Sequence, residues 1–128
     1  MRWVFTLPQP KQDDLLNHEQ GHFSLAVLLA RDFFLDLMGL KGNTYQSKAD
    51  AESDFNALKN DRNSNFVKII KKYDDLTKHG TVAAEQAKWD GFIHKAFTVP
   101  KAPAEQAADG APIKVRLLDV LSQGGIVI

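Results

Sequence analysis

Between Leu15 and Met38, apolar residues recur at steps of three and four: Leu15, Leu16, Phe23, Ala26, Leu29, Ala30, Phe33, Phe34, Leu37 and Met38. A strand would alternate over a much shorter run, so this spacing predicts a long amphipathic helix with one face turned to a core. Asp13 suits its start as a cap, and Gly39 with Gly42 suits its end. A second long helix is expected from about Lys48 to Lys78, capped by Ser47. Its core face would be Ala51, Phe55, Leu58, Phe66, Ile69, Ile70, Tyr73 and Leu76. It is read as continuous through the polar run 60–65 and stopped by His79-Gly80. A third helix, capped by Thr81, would reach about Phe97 with Val82, Ala83, Trp89, Phe92, Ile93 and Phe97 inward.

The two ends read as β. Trp3, Phe5 and Leu7 alternate with Arg2, Val4 and Thr6 before Pro8, and Ile113, Val115, Leu117 and Val120 precede a Gly124-Gly125 turn and Ile126-Val127-Ile128. The Pro- and Ala-rich run 99–112 reads as a linker. The expectation is therefore a mainly α, α+β fold: three helices with short N- and C-terminal strands. It divides into a metal-binding domain over 1–98, a linker over 99–112, and a β tail over 113–128 that packs on the same domain or on a partner.

Composition narrows the chemistry. Sixteen Lys and Arg balance sixteen Asp and Glu, so nothing points to nucleic acid or to a polybasic membrane anchor. With no cysteine, a disulfide, a thiolate metal site and a Cys nucleophile are all excluded. No run of about 18 uncharged apolar residues is present, so no membrane span is expected. The N-terminal apolar run is too short for the core of a signal peptide, which gives a cytoplasmic reading of the chain as it stands.

On the first helix lies His18-Glu19-Gln20-Gly21-His22. Residues four apart sit one above the other on a helix, so His18 and His22 can offer two imidazole nitrogens to one cation, with Glu19 beside them. Catalytic zinc takes three protein ligands and keeps an open position. His79, His94, Glu52, Glu85, Asp74 and Asp75 are the candidates for the third. His79 is preferred, because it ends a helix where its ring projects freely and Gly80 leaves the backbone room to turn. Asp75 would accept its second ring hydrogen. Glu52 is the second choice, and His94 reads as an ordinary half-buried histidine. A di-iron site would need a second Glu-x-x-His, which the chain lacks.

The segment His18-Glu19-Gln20-Gly21-His22-Phe23, with Leu25-Ala26 and Ala30-Arg31, resembles a bacterial family of uncharacterised domains predicted to be secreted zinc-dependent proteases. That family carries a second block, Tyr-Asp-x-x-Thr-x-His-Gly followed by Gln-x-x-Trp. This chain has Tyr73-Asp74, Thr77, His79-Gly80, Gln86 and Trp89 in the same order. The resemblance implies a zincin-like fold, Zn²⁺ held by His18, His22 and His79, Glu19 as general base, a peptide or protein substrate, and a secreted or periplasmic location. Family members have a longer β region ahead of the helix, so the chain looks shortened at its N-terminus. The expected function is a zinc-dependent metallohydrolase of peptidase type. The alternative is a helical module that binds a metal or a partner and has lost activity.

Overall fold

The computed structural model describes residues 9–40, 43–100 and 114–128, with side chains from Gln12 onward in the first helix. Four helices account for most of them: α1, Gln9–Leu40; α2, Lys48–Thr77; α3, Ala83–Thr98; and α4, Leu117–Gln123. Helix α1 touches each of the other three, α2 packs on α3, and α3 packs on α4. Among the described residues there is no strand, and a single antiparallel bridge joins Pro100 to Lys114.

This overturns the α+β, zincin-like expectation: the described chain is all α. The expected N-terminal strand and most of the expected linker lie outside the described residues. The expected C-terminal strand is replaced by α4. Leu117, Val120 and Leu121 stand at i, i+3 and i+4, and all three are buried, so the helical period outweighs the short alternation that precedes it. The Gly124-Gly125 pair ends this helix instead of closing a hairpin, with Gly125 at φ +83° and Ile126 N–H donating to Leu121 O at 2.9 Å. The buried residues of α4 belong to the same core as the long helices.

Helix α1 starts at Gln9, four residues before Asp13, with Pro10 in its first turn where no amide partner is needed. Helix α2 runs unbroken through 60–65, and the Ser47 hydroxyl accepts from Asp50 N–H at 3.2 Å. Thr81 does not cap α3. Its hydroxyl donates back to Lys78 O at 2.7 Å, and Val82 holds the cap position without a side-chain bond.

The buried face of α1 is not centred where residue types suggest. It runs through His18, Leu25, Leu28, Leu29 and Asp32, while Leu16, Phe23 and Phe34 are more than half exposed. Two polar side chains occupy core positions, and each organises a polar cluster. The core itself gathers Leu25, Leu28, Ile69, Tyr73, Trp89, Ala96, Leu117 and Leu121.

Candidate metal centre

His18 and His22 project from successive turns of α1, as their spacing requires. Opposite them stands Asp74, in the last turn of α2. Its Oδ1 is 2.9 Å from His18 Nε2 and 2.7 Å from His22 Nε2, and the two nitrogens are 3.2 Å apart. His18 is completely buried, while His22 and Asp74 are about three-quarters covered. Donors about 2.0–2.1 Å from a tetrahedral zinc lie about 3.3 Å from one another, so this triangle fits one small cation after shifts of a few tenths of an ångström. Among the described residues, these three form the group of ligand atoms close enough for a shared metal.

Hydrogen placement on His18 follows from its neighbours. Gln86 Nε2 lies 2.8 Å from Tyr73 Oη and 2.9 Å from Asp90 Oδ1. The Asp90 carboxylate only accepts, which turns the amide nitrogen of Gln86 towards it and the amide oxygen towards His18 Nδ1, at 2.9 Å. The Tyr73 hydroxyl spends its proton on His18 O at 2.9 Å, leaving its oxygen to accept from Gln86. Thr77 Oγ1 likewise gives its proton to Tyr73 O at 2.6 Å, so it too can only accept from His18 Nδ1, at 3.3 Å. The proton of a neutral His18 is therefore on Nδ1, and its Nε2 lone pair faces Asp74. One hydrogen on His22 cannot fill all three gaps of the triangle. The gap of 2.9 Å between His18 Nε2 and Asp74 Oδ1 joins two acceptors, a contact that a shared cation relieves.

The second sequence block builds the walls of this centre. The Tyr73 ring stacks on His18, with centroids 4.4 Å apart and planes 8° apart. Burial pushes its phenol up to about 12, with the charges of Asp90, Asp74 and Glu19 acting in the same direction and the Gln86 bond opposing them. At neutral pH it stays a hydrogen-bond donor. Trp89 packs edge-on to Tyr73 at 5.2 Å. Glycine is required twice. A Cβ on Gly21 would lie in the Tyr73 hydroxyl, and one on Gly80 would lie 2.8 Å from His18 Cβ. Gly80 also closes a left-handed run in which Lys78, His79 and Gly80 have φ of 47°, 57° and 90°. Left-handed backbone costs a non-glycine residue about 1–2 kcal/mol, and here it turns the chain over the buried imidazole.

The expected site residues separate into two groups. His18 and His22 meet as anticipated, joined by Asp74, a candidate that ranked behind His79. His79 stands beside them: its ring centroid is 6.1 Å from that of His18, its Nδ1 is 3.8 Å from Asp74 Oδ1, and its side chain is largely exposed. Asp75, the expected partner of His79, accepts from Lys71 at 2.7 Å, and the carboxylate that the His79 ring approaches is Asp74. Glu19 is exposed on the turn that carries the two ligands, and Glu52 lies at the far end of α2, 3.6 Å from Lys48. His94 is exposed on α3 and borders a different groove. Gln86, Thr77 and Tyr73 hold His18 without being legible from the first motif. All three stand in the second sequence block, Tyr73-Asp74, Thr77, His79-Gly80, Gln86 and Trp89.

No helix among the described residues is long and apolar enough to cross a membrane. Comparison of the chain with protein-family models, with curated proteins and with solved structures finds no match in any of the three.

Proposed function

We propose that the protein is a zinc-dependent hydrolase of peptidase type, with His18, His22 and Asp74 as the metal ligands and Glu19 as the general base. The observation that carries this reading is the convergence of three ligand atoms within 3.2 Å, one of them on a buried imidazole whose hydrogen is committed elsewhere. Two nitrogens and one carboxylate oxygen form a donor set suited to zinc, and the chain has no thiolate to offer a softer one. Zinc held there supplies a Lewis acid that acidifies water and polarises a carbonyl at neutral pH.

The remaining chemistry belongs to the chain. Gln86 and Thr77 keep the His18 Nε2 lone pair turned towards the ion, and the Tyr73 ring fixes the plane of the imidazole. Glu19, exposed on α1 next to His18, would take a proton from the attacking water and return it to the leaving amine. His79, at the open edge of the site, is available to hydrogen-bond Asp74.

The test is metal content together with peptide hydrolysis. Purified protein should hold about one zinc per chain, and Glu19→Gln should keep the zinc while losing hydrolysis of a protein substrate. His79→Ala should keep the zinc and Asp74→Ala should lose it. If the purified protein takes up no zinc at neutral pH, the hydrolase reading fails.

A further inference from the structure

The rows of side chains that carry the metal ligands continue along both helices. On α1 the row through His22 passes Ala26 and Ala30. On α2 the row through Asp74 passes back through Ile70 and Phe66. Between them lies a groove of about 310 Å³ lined by the apolar Ala26, Leu29, Ala30, Phe33 and Phe66 and by the polar Lys59, Arg62 and Asn63 of α2, of which Arg62 is already paired with Asp36 and Asp61. The groove wall is mostly apolar. Phe23, four residues from Glu19 on the same side of α1, is 70% exposed and lengthens the apolar surface at the near end. Among the described residues, Lys59 pairs with no carboxylate.

Resting on the hydrolase reading, we propose that this groove binds an apolar stretch of the polypeptide to be cut, and that Lys59 receives a carboxylate of that polypeptide about six residues from the scissile bond. Length and charge together select this occupant. From Glu19 to Phe33 the helix rises about 21 Å at ~1.5 Å per residue. An extended peptide covers that distance in about six residues at ~3.3 Å each. Its apolar side chains meet Ala26, Ala30 and Phe66, and the ammonium of Lys59 then stands where an acidic side chain or a C-terminal carboxylate arrives.

The probe is a fluorescein-labelled peptide with Leu and Phe after the intended cleavage point and Glu six residues on, titrated into the zinc-loaded full-length Glu19→Gln protein. A serine-substituted version and a version with Lys in place of Glu serve as comparisons. Tight binding is expected for the first peptide and at least tenfold weaker binding for the other two. Ala30 is exposed, so Ala30→Leu fills the groove without disturbing the core. It should weaken binding of the first peptide at least tenfold while zinc content is unchanged. Lys59→Glu should reverse the preference between the Glu and Lys peptides. Equal affinity for the apolar and serine peptides, no binding at all, or indifference to Ala30→Leu overturns the groove. Binding to the groove without cleavage by the unaltered protein would overturn the hydrolase reading alone, and cleavage with no apolar preference would overturn the groove alone.

Discussion

Two polar clusters tie α1 to the rest of the molecule, and both place charged or titratable groups in its buried face. Around Asp32 and Asp36, every carboxylate oxygen faces a backbone amide or a guanidinium. Asp32 Oδ1 takes Arg31 Nε at 3.0 Å and Nη2 at 2.8 Å, while Oδ2 takes Leu117 N–H at 2.8 Å and so satisfies the start of α4. Asp36 faces Arg62 Nε at 2.8 Å and Arg116 Nη1 at 3.4 Å. Around Asp74, by contrast, one carboxylate oxygen faces two imidazole nitrogens, and the hydrogen of the more buried ring points the other way. The first cluster is closed by its own guanidinium groups. The second is short of hydrogens to share, and under the proposed function an ion would complete it. Burial and ion pairing alone therefore do not mark a functional site. The balance of donors and acceptors separates the structural cluster from the chemical one.

The largest effect should come from breaking the open cluster. Asp74→Ala leaves two nitrogens, too few for a catalytic zinc site. Zinc affinity should fall by more than about 100-fold, beyond the range of an outer-shell loss. Equilibrium dialysis against a chromogenic chelator measures this directly, and unchanged affinity would mean that another residue, with His79 the nearest, is the third ligand.

Breaking the closed cluster should spare the metal and cost stability. Asp32 is 5% exposed. Asp32→Ala strips Arg31 of its partner and leaves the first amide of α4 without an acceptor, so a loss of about 3 kcal/mol is expected in urea unfolding. Zinc content of the folded fraction should not change. A parallel loss of zinc would show that the clusters are coupled through α1.

Gln86→Leu sharpens the comparison from outside the ligand set. It keeps most of the side-chain volume and removes the acceptor that holds the proton on His18 Nδ1. A 10- to 100-fold loss of zinc affinity is expected. Nitrogen-15 NMR of the metal-free variant should show His18 distributed between both tautomers, whereas the parent holds one. A single tautomer in both proteins would assign that control to Thr77.

Residue patterns foretold the three long helices well, because α2 and α3 each show helical spacing between clear breaks. The pairing of His18 with His22 was legible for the same reason: four residues is one turn. Asp74 was harder to choose, since one position on α2 separates Asp74 from Asp75, and the turn that exposes His79 is set by left-handed backbone at Lys78 and His79, where neither residue type announces it. The buried face of α1 was misjudged because apolar residues were counted and His18 and Asp32 were not. Side chains that build polar clusters occupy core positions, and displaced apolar ones such as Phe23 and Phe34 reach the surface. The segment from residue 113 looked like a strand because Ile113, Val115 and Leu117 alternate, although Leu117 also opens the helical set Leu117, Val120 and Leu121.

Arg116→Ala tests how closed the closed cluster is. Arg116 Nη1 donates to Asp32 O at 2.7 Å and stands 3.4 Å from Asp36 Oδ1, yet a quarter of its side chain remains in water. Asp36 keeps Arg62 at 2.8 Å when Arg116 is gone, and Asp32 keeps Arg31 and the Leu117 amide. No carboxylate is stranded, so the loss should be only about 1 kcal/mol, the scale of a partly solvated pair. Urea unfolding of Arg116→Ala, Asp36→Ala and the double variant measures the coupling between them. A small coupling energy is the mark of a network with spare donors. The Asp74 centre has none to spare, and the same experiment on Asp74 and His22, read as zinc affinity, should give losses that fall far short of adding, because either change alone already empties the site.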